Sequence, residues 1–289
     1  YGLTITTNGL ALDEPVAEYL RENEIETTLS FDGVRGAQDA SRPYPDGGSS
    51  FAETRDALRL ALEYLPDTAV CAVVSPENVE YLPETIDFLL DEGVRYIHLN
   101  PNFFADWPEE KLEQWRRGYE HAADRIVEAF RDGEVFHVNF ITAKIVTHLK
   151  DGYEPCDCCE FGSKEIAIAP SGNIYPCQRM VGEDNEELGL LGDVFNGLDE
   201  DACREISEAR DITSPECLEC EHHGRCRNWC SCVNHRLTGR FDRVGPLVCY
   251  HERMAIDVAD SAASRLFQEQ NSTFLETFYQ EEQVAPEWI

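Results

Sequence analysis

The sequence predicts an α/β domain, a barrel or open sheet of parallel strands, followed by a small cysteine-rich domain and a C-terminal helix. Two observations predict it. From residue 1 to 150, short apolar or β-branched runs alternate with helical stretches, the pattern of strand–helix–strand units with right-handed crossovers. Beyond 150 the helical period fades, glycine and cysteine rise, and eleven of the twelve cysteines fall between Cys156 and Cys249. The expected divisions are 1–150 for the α/β part, 151–250 for the cysteine-rich part and 251–289 for the helical end.

Taken in order, Leu3 to Thr7 reads as a strand ending in Thr7-Asn8-Gly9, and Pro15 to Asn23 as a helix with Pro15 in its first turn. Ile25 to Phe31 is the next strand, and the polar stretch Asp32 to Ser50 reads as a long loop. A helix follows from Phe51 to Tyr64, a strand from Thr68 to Val74, a helix from Asn78 to Glu92 and a strand from Val94 to Leu99. Pro108 to Arg131 is the longest helix, and Val135 to Phe140 reads as a further strand. Glu165 to Ala169 and Asn173 to Tyr175 bracket Pro170-Ser171-Gly172, which reads as a hairpin that delivers Cys177. Glu200 to Ala209 and His251 to Gln268 read as helices, the last continuing toward Gln280.

In either parallel architecture, ligands sit at the carboxyl ends of the strands. The polar residues there are Thr7, Asn8 and Gly9, then Ser30, Asp32 and Gly33, then Asn100, Pro101 and Asn102. Locally, Asn-Gly and Asp-Gly are equally good turn formers.

The densest chemistry is Cys217-Leu-Glu-Cys220-Glu-His-His-Gly-Arg-Cys226-Arg-Asn-Trp-Cys230, four thiols in fourteen residues. Thiolate is a soft ligand, and such a set suits zinc or an iron-sulfur cluster. Zinc would close one site on Cys217, Cys220, Cys226 and Cys230. That leaves Cys156, Cys158, Cys159, Cys177, Cys232 and Cys249 unexplained, whereas two four-cysteine clusters absorb eight of these ten thiols. Cys71, in an apolar strand, and Cys203, on a helix, read as ordinary core or surface thiols, and His222 and His223 as residues of a solvated turn.

The order Cys159, twelve residues, Gly172, four residues, Cys177, a gap, Cys217-x2-Cys220-x5-Cys226-x3-Cys230, a gap, and Cys249 resembles the SPASM domain of radical S-adenosylmethionine (SAM) enzymes. The resemblance implies two auxiliary [4Fe-4S] clusters. By position, Cys177, Cys230, Cys159 and either Cys156 or Cys158 would serve the first, and Cys217, Cys220, Cys226 and Cys249 the second. Cys232 is then spare, and Trp229 is placed to shield a cluster from water. Upstream, Thr7-Asn8-Gly9, Ser30-Phe31-Asp32-Gly33, Asp39, Arg42 and Gly48-Ser49-Ser50-Phe51 resemble the later half of a radical SAM partial barrel. The resemblance makes Asn8, Ser30 and Arg42 candidates for holding SAM, a guanidinium fork suiting a carboxylate and a hydroxyl serving as donor or acceptor.

The function implied by the resemblance is modification of a peptide or protein side chain, such as that of a ribosomally made peptide, with an electron donor as a second partner. A reduced cluster cleaves SAM to a 5′-deoxyadenosyl radical that abstracts hydrogen from the substrate, and the auxiliary clusters take up the remaining electron or anchor the peptide. The family's Cys-x3-Cys-x2-Cys loop and Gly-Gly-Glu stretch are absent from the 289 residues. Both belong on the first strands of the barrel, and the chain opens on what resembles the third. The expectation is an N-terminally shortened enzyme, whose third [4Fe-4S] cluster and SAM depend on a preceding segment and which is inactive by itself. Gln178 stands where the sulfatase-maturating relatives carry an aspartate, and glutamine cannot act as a base, which argues against formylglycine chemistry. Rival readings are a non-catalytic SPASM protein that binds a peptide or passes electrons, and a structural zinc protein.

Composition limits the partners. With 24 basic and 56 acidic residues the net charge is −32, a coat that repels nucleic acid and anionic lipid. No apolar run approaches the roughly 18 residues of a membrane span. Short-spaced thiols in an enzyme-sized chain favour metal binding in the cytoplasm over disulfides. Acidic runs such as Glu183-Asp184-Asn185-Glu186-Glu187 and Asp199-Glu200-Asp201 are spread along the chain, which fits a salt-adapted surface better than one docking patch. A halophilic protein of this kind is expected to lose secondary structure on dialysis into low salt. Circular dichroism across a salt series checks this, and an unchanged spectrum would refute salt adaptation.

Overall fold

β-Branched and apolar residues at alternating positions build the first sheet, because successive strand side chains point to opposite faces. In the computed structural model, which describes residues 2–163, 165–181, 189–210 and 213–279, five strands lie parallel in the order of their sequence. They are Leu3–Thr7 (β1), Ile25–Ser30 (β2), Ala69–Val74 (β3), Tyr96–Pro101 (β4) and His137–Val138 (β5). Between them run helices Glu14–Glu22 (α1), Arg35–Ser41 (α2), Phe51–Tyr64 (α3), Leu82–Asp91 (α4) and Glu109–Arg131 (α5). An unreversed strand order lacks the switch point of a doubly wound sheet and matches barrel winding. The expected α/β fold is present, with the barrel-like alternative chosen.

Register divides the sheet into two unlike faces. Leu29, Val70, Ala72, Ile97, Leu99 and Val138 are buried on one side. Behind Leu29 stands α3, close enough that a Cβ on Gly9 would meet both Leu29 and Ala57. Phe31, Phe51 and Phe88 meet with ring centroids 5.8–5.9 Å apart and join the end of β2 to α3 and α4, each such pair contributing about 0.5–1.5 kcal/mol beyond area burial. On α5, Trp115, Tyr119, Ala122, Ile126, Val127 and Phe130 are buried at helical spacing. Along β1, Leu3 and Ile5 are exposed, and among the described residues no strand pairs with its outer edge.

Several elements differ from expectation for identifiable reasons. The stretch Asp32 to Ser50 is not one loop, since seven of its residues form α2. Only His137 and Val138 pair as a strand, and helix Asn139–Leu149 (α6) follows at once. Asn139 ends the strand by accepting from Leu99 N at 3.0 Å and donating to Leu99 O at 3.2 Å, so its side chain occupies the ladder position that the next backbone would fill. The final helix ends at Gln268, Gln270 takes φ 51°, and Asn271 caps a second helix, so the expected continuation is broken. Gln280 lies outside the described residues.

The chain divides into two units, one of residues up to Val146 together with those from Met254 onward, the other Thr147–Arg253. Within the first unit, Arg116 and Arg265 pair with Asp257 and Asp124, and Asn271 Nδ2 donates to Phe130 O at 2.9 Å. The second unit holds an antiparallel sheet of Ala167–Ile168 (β6), Asn173–Tyr175 (β7), Gly192–Asp193 (β8) and Gly197–Leu198 (β9). Its first two strands form the expected hairpin around Pro170-Ser171-Gly172. Helices Glu200–Arg210 (α7), Pro215–Leu218 (α8) and Ser231–Thr238 (α9) follow; Pro246–Gln268 (α10) belongs to the second unit as far as Arg253 and to the first from Met254, and Ser272–Phe278 (α11) lies in the first. Asp199 Oδ1 accepts from Asp201 N at 2.9 Å and Ala202 N at 3.0 Å, so this acidic run starts α7. The run from 183 to 187 lies outside the described residues.

At the turn after β2, Gly33 has φ +95°, and a Cβ there would stand 2.2 Å from Cγ2 of buried Thr85. Gly33→Ala combines backbone strain with overpacking and is expected to lower stability by roughly 2–4 kcal/mol. Denaturant unfolding checks this, with Gly47→Ala, whose Cβ would meet nothing within 4 Å, as the control for positive φ alone.

Candidate functional site

In the first unit, the carboxyl ends of β2 and β3 are held by one buried polar network. Asp32 Oδ2 accepts from Arg42 Nε at 3.0 Å and its Oδ1 from Val73 N at 2.8 Å. Its own N–H donates to Gln38 Oε1 at 2.9 Å, Gln38 Nε2 donates to Ser50 Oγ at 2.9 Å, and Ser50 Oγ donates to Arg42 O at 2.7 Å. Burial pushes the Asp32 carboxyl above the usual range while Arg42 and the Val73 amide oppose it. The network ties α2 to both strand ends, which is why the chain between β2 and α3 is ordered although it lacks an apolar period.

Of the three residues singled out for SAM, Ser30 closes β2 and Asn8 follows β1, where its Oδ1 accepts from Leu10 N at 3.2 Å. Arg42 is committed through Nε to Asp32, yet its side chain keeps 29 % of its surface exposed, so the outer end of the fork is open to a ligand. Parallel register puts Thr4, Thr6, Thr28, Ser30, Cys71, His98 and Asn100 on the sheet face opposite the apolar one. Cys71 is therefore no core thiol; Asn100 Nδ2 donates to its Sγ at 2.9 Å. Further along this face His137 stacks on Tyr96 with centroids 5.5 Å apart, and burial holds it down at about 4; burial lowers His98 as well. The signal for this face was legible as alternating Thr4/Thr6 and Glu26/Thr28/Ser30, polar positions that an apolar-run search passes over.

In the second unit none of the cysteines forms a disulfide. Their sulfurs sort into two neighbourhoods. Cys159, Cys177 and Cys230 act electrostatically on one another, and Cys232 lies against Cys230 with sulfurs 3.8 Å apart. Cys249 instead senses Cys217 and Cys220, and with Cys226 all three line a cavity of about 250 Å³. Among the described residues, no three His, Cys, Asp or Glu side chains converge tightly enough to hold a single metal ion. His222 and His223, expected on a solvated turn, are half-buried on the wall of this cavity.

Cys156 and Cys158 direct their thiols to Glu154, at 3.6 Å from its Oε2 and its carbonyl oxygen respectively. Cys159 donates to Glu165 Oε2 at 2.8 Å, and burial followed by this carboxylate pushes its thiol up. Cys177 and Cys230 are both lowered, first by the hydrogen bond from Cys232. Trp229 packs edge-on to Tyr153 at 5.7 Å with Arg227 over its ring at 5.2 Å. The sequence analysis left Cys232 spare because the resemblance fills its eight ligand positions from other cysteines.

No family model matches the chain. It is 23 % identical over 277 residues to a radical SAM cyclopropyl synthase of Paramaledivibacter caminithermalis, across 94 % of this chain and 54 % of that protein. It is 21 % identical over 252 residues to a cysteine-type anaerobic sulfatase-maturating enzyme of Clostridium novyi, across 78 % of this chain and 63 % of that enzyme. The chain thus spans between half and two thirds of the length of these curated relatives. Among solved structures, anSMEcpe with bound AdoMet superimposes with a TM-score of 0.74 at 17 % identity, covering 93 % of this chain and 75 % of that one. SuiB of Streptococcus suis bound to S-adenosylmethionine gives 0.52 at 18 % identity, covering 85 % and 59 %. The chain therefore has the fold of these radical SAM maturases, and its homologues are radical SAM maturating enzymes.

The Asp32–Arg42 pair has one partner at 1 % and the other at 29 % side-chain exposure. Arg42→Ala strands a buried carboxylate and is expected to cost about 2–4 kcal/mol, read by denaturant unfolding of the protein without SAM. An unchanged midpoint would show that Arg42 is free for ligand alone.

Proposed function

We propose that this chain is part of a radical SAM/SPASM enzyme that modifies a peptide or protein side chain, holding two auxiliary [4Fe-4S] clusters in the unit Thr147–Arg253, while the 289 residues carry no Cys-x3-Cys-x2-Cys loop with which to cleave SAM by themselves. The observation that carries the reading is the sorting of the thiols: Cys230 sits with Cys159 and Cys177, away from its sequence neighbours, while Cys249 joins Cys217 and Cys220. A closed zinc site on Cys217–Cys230 would require the opposite grouping. The first cluster takes Cys159, Cys177 and Cys230, with Cys156 or Cys158 as the fourth ligand, and the second takes Cys217, Cys220, Cys226 and Cys249.

The strand-end region is read as the SAM side, held by Ser30, Asn8 and the outer nitrogens of Arg42. The polar face of the sheet supports this, because small hydroxyl and amide side chains orient a polar ligand by hydrogen bonds where an apolar face could only bury it. With His98 and His137 held neutral by burial, that face carries no imidazolium to oppose a cationic sulfonium. When bound, SAM and the cluster that reduces it supply a 5′-deoxyadenosyl radical able to take hydrogen from the substrate. The chain's own residues position the reactants and exclude water.

A peptide or protein substrate is supported by the relatives, among them the sulfatase-maturating enzymes and SuiB, which has been solved with its precursor peptide SuiA. Gln178 argues against the sulfatase reaction itself, since it offers no base beside Cys177. An electron donor completes the partners. No helix among the described residues is long and apolar enough to cross a membrane, and the −32 charge supports a high-salt cytoplasm.

Purified anaerobically and reconstituted, the protein is expected to be brown and to hold roughly eight iron and eight sulfide per chain in the auxiliary clusters. Cys230→Ala should deplete the same spectroscopic species as Cys177→Ala, and Cys220→Ala the other one. A colourless zinc protein, or a Cys230→Ala variant that matches Cys220→Ala, would overturn the assignment.

A further inference from the structure

Cys232 is left over when eight thiols are assigned to two clusters, yet it is the least accessible cysteine of its unit, at 4 % exposure. Its place is set by the backbone. Cys230 caps α9, its carbonyl accepts from Asn234 N at 3.0 Å, and Cys232 is the second residue of that helix. Asn234, fully buried, fixes the helix start by donating to Asn228 O at 2.7 Å and to Phe241 O at 3.1 Å. The thiol therefore projects where the helix directs it, 3.8 Å from Cys230 Sγ and in hydrogen-bonding contact with Cys177.

Thiolates bound to different irons of a cubane leave from separate corners and stand well apart. Cys230 and Cys232 are at sulfur contact distance, too near for both to be ligands in that way. A thiol between two ligand sulfurs is instead well placed to donate to them. As ligands, Cys177 and Cys230 would be thiolates without a proton to give, so a hydrogen bond between these sulfurs runs from Cys232. Backbone donors already approach the same sulfurs: Arg179 N lies 3.4 Å from Cys177 Sγ, and Val233 N donates to Cys230.

We propose that Cys232 is a buried hydrogen-bond donor to the sulfurs of Cys177 and Cys230, raising the reduction potential of the first auxiliary cluster without ligating it. The inference rests on the assignment of Cys177 and Cys230 to one cluster. Donors to ligand sulfurs stabilise the reduced, more negative cluster, which shifts the couple upward. Cys232 thereby acts through the ligand sulfurs and makes this cluster a better electron acceptor than it would be without the thiol.

The test uses the reconstituted full chain and compares wild type with Cys232→Val, Cys232→Ala and Cys232→Ser. Iron and sulfide content is measured first, then midpoint potentials by redox titration followed by electron paramagnetic resonance. Valine fills the space without a donor, alanine leaves it open, and serine restores a donor. Full iron content is expected in all three, with the valine and alanine variants lowering the reduction constant of one cluster about tenfold, ~59 mV for a one-electron couple. Serine should return that potential most of the way, and the second cluster should not move. Loss of about half the iron in Cys232→Ser and Cys232→Val would make Cys232 a ligand and overturn the proposal, as would full iron with an unshifted potential. Wild type without iron, or Cys230→Ala with full iron, would instead defeat the cluster assignment on which the proposal rests.

Discussion

The chain between Cys226 and Cys230 changes course, and the arrangement of the second unit depends on it. Arg227 N donates to Glu252 Oε2 at 2.8 Å, Asn228 Nδ2 to His223 O at 3.1 Å, and Cys230 then begins α9. These bonds separate two thiols only four residues apart and send Cys230 to Cys177. Among its described residues the unit has strands of two or three residues, and its cysteines form no disulfide, so its sheet offers little to hold distant segments together. A site confined to 217–230 would tie one loop to itself. The two groups of thiols instead bring together residues of the hairpin, the central motif and the start of α10. The same turn places the Cys232 sulfur 3.8 Å from that of Cys230.

The first unit solves a different problem. Its sheet buries apolar residues on one face and presents hydroxyl, amide and imidazole groups on the other. The strand ends are not left to loops. Asp32 gathers a guanidinium, a β3 backbone amide and the Gln38–Ser50 pair, and the guanidinium and the amide offset only part of the desolvation of its charge. Rigid strand ends are what a reactive cofactor requires, since orientation there is set by the scaffold and not by the ligand.

Much of this was legible in order along the chain. The strand Leu3–Thr7 and the helix Phe51–Tyr64 end where the sequence pattern ends, and the hairpin before Cys177 follows from Pro170-Ser171-Gly172. Helix Arg35–Ser41 was not legible, because its stability comes from Gln38 and Arg42 reaching residues six and ten positions back. The run after Val138 is apolar throughout and suits strand or helix equally; Asn139 decides it by pairing with Leu99, forty residues away. In the site, Ser30 and Asn8 stand at the strand ends as their positions implied, while Arg42 serves Asp32 first.

By itself the sequence determined which residue types are available and at what spacing: the parallel α/β winding, the clustered thiols and the acidic coat all follow from local pattern and composition. Tertiary structure decided which of them meet. Cys230 with Cys177, Cys249 with Cys217, Cys232 between sulfurs, and Cys71 on the polar face are relations across tens of residues or across a sheet. Spacing can say that thiols are near enough to share a site. Only the path of the backbone, set by long-range hydrogen bonds and burial, selects the partners.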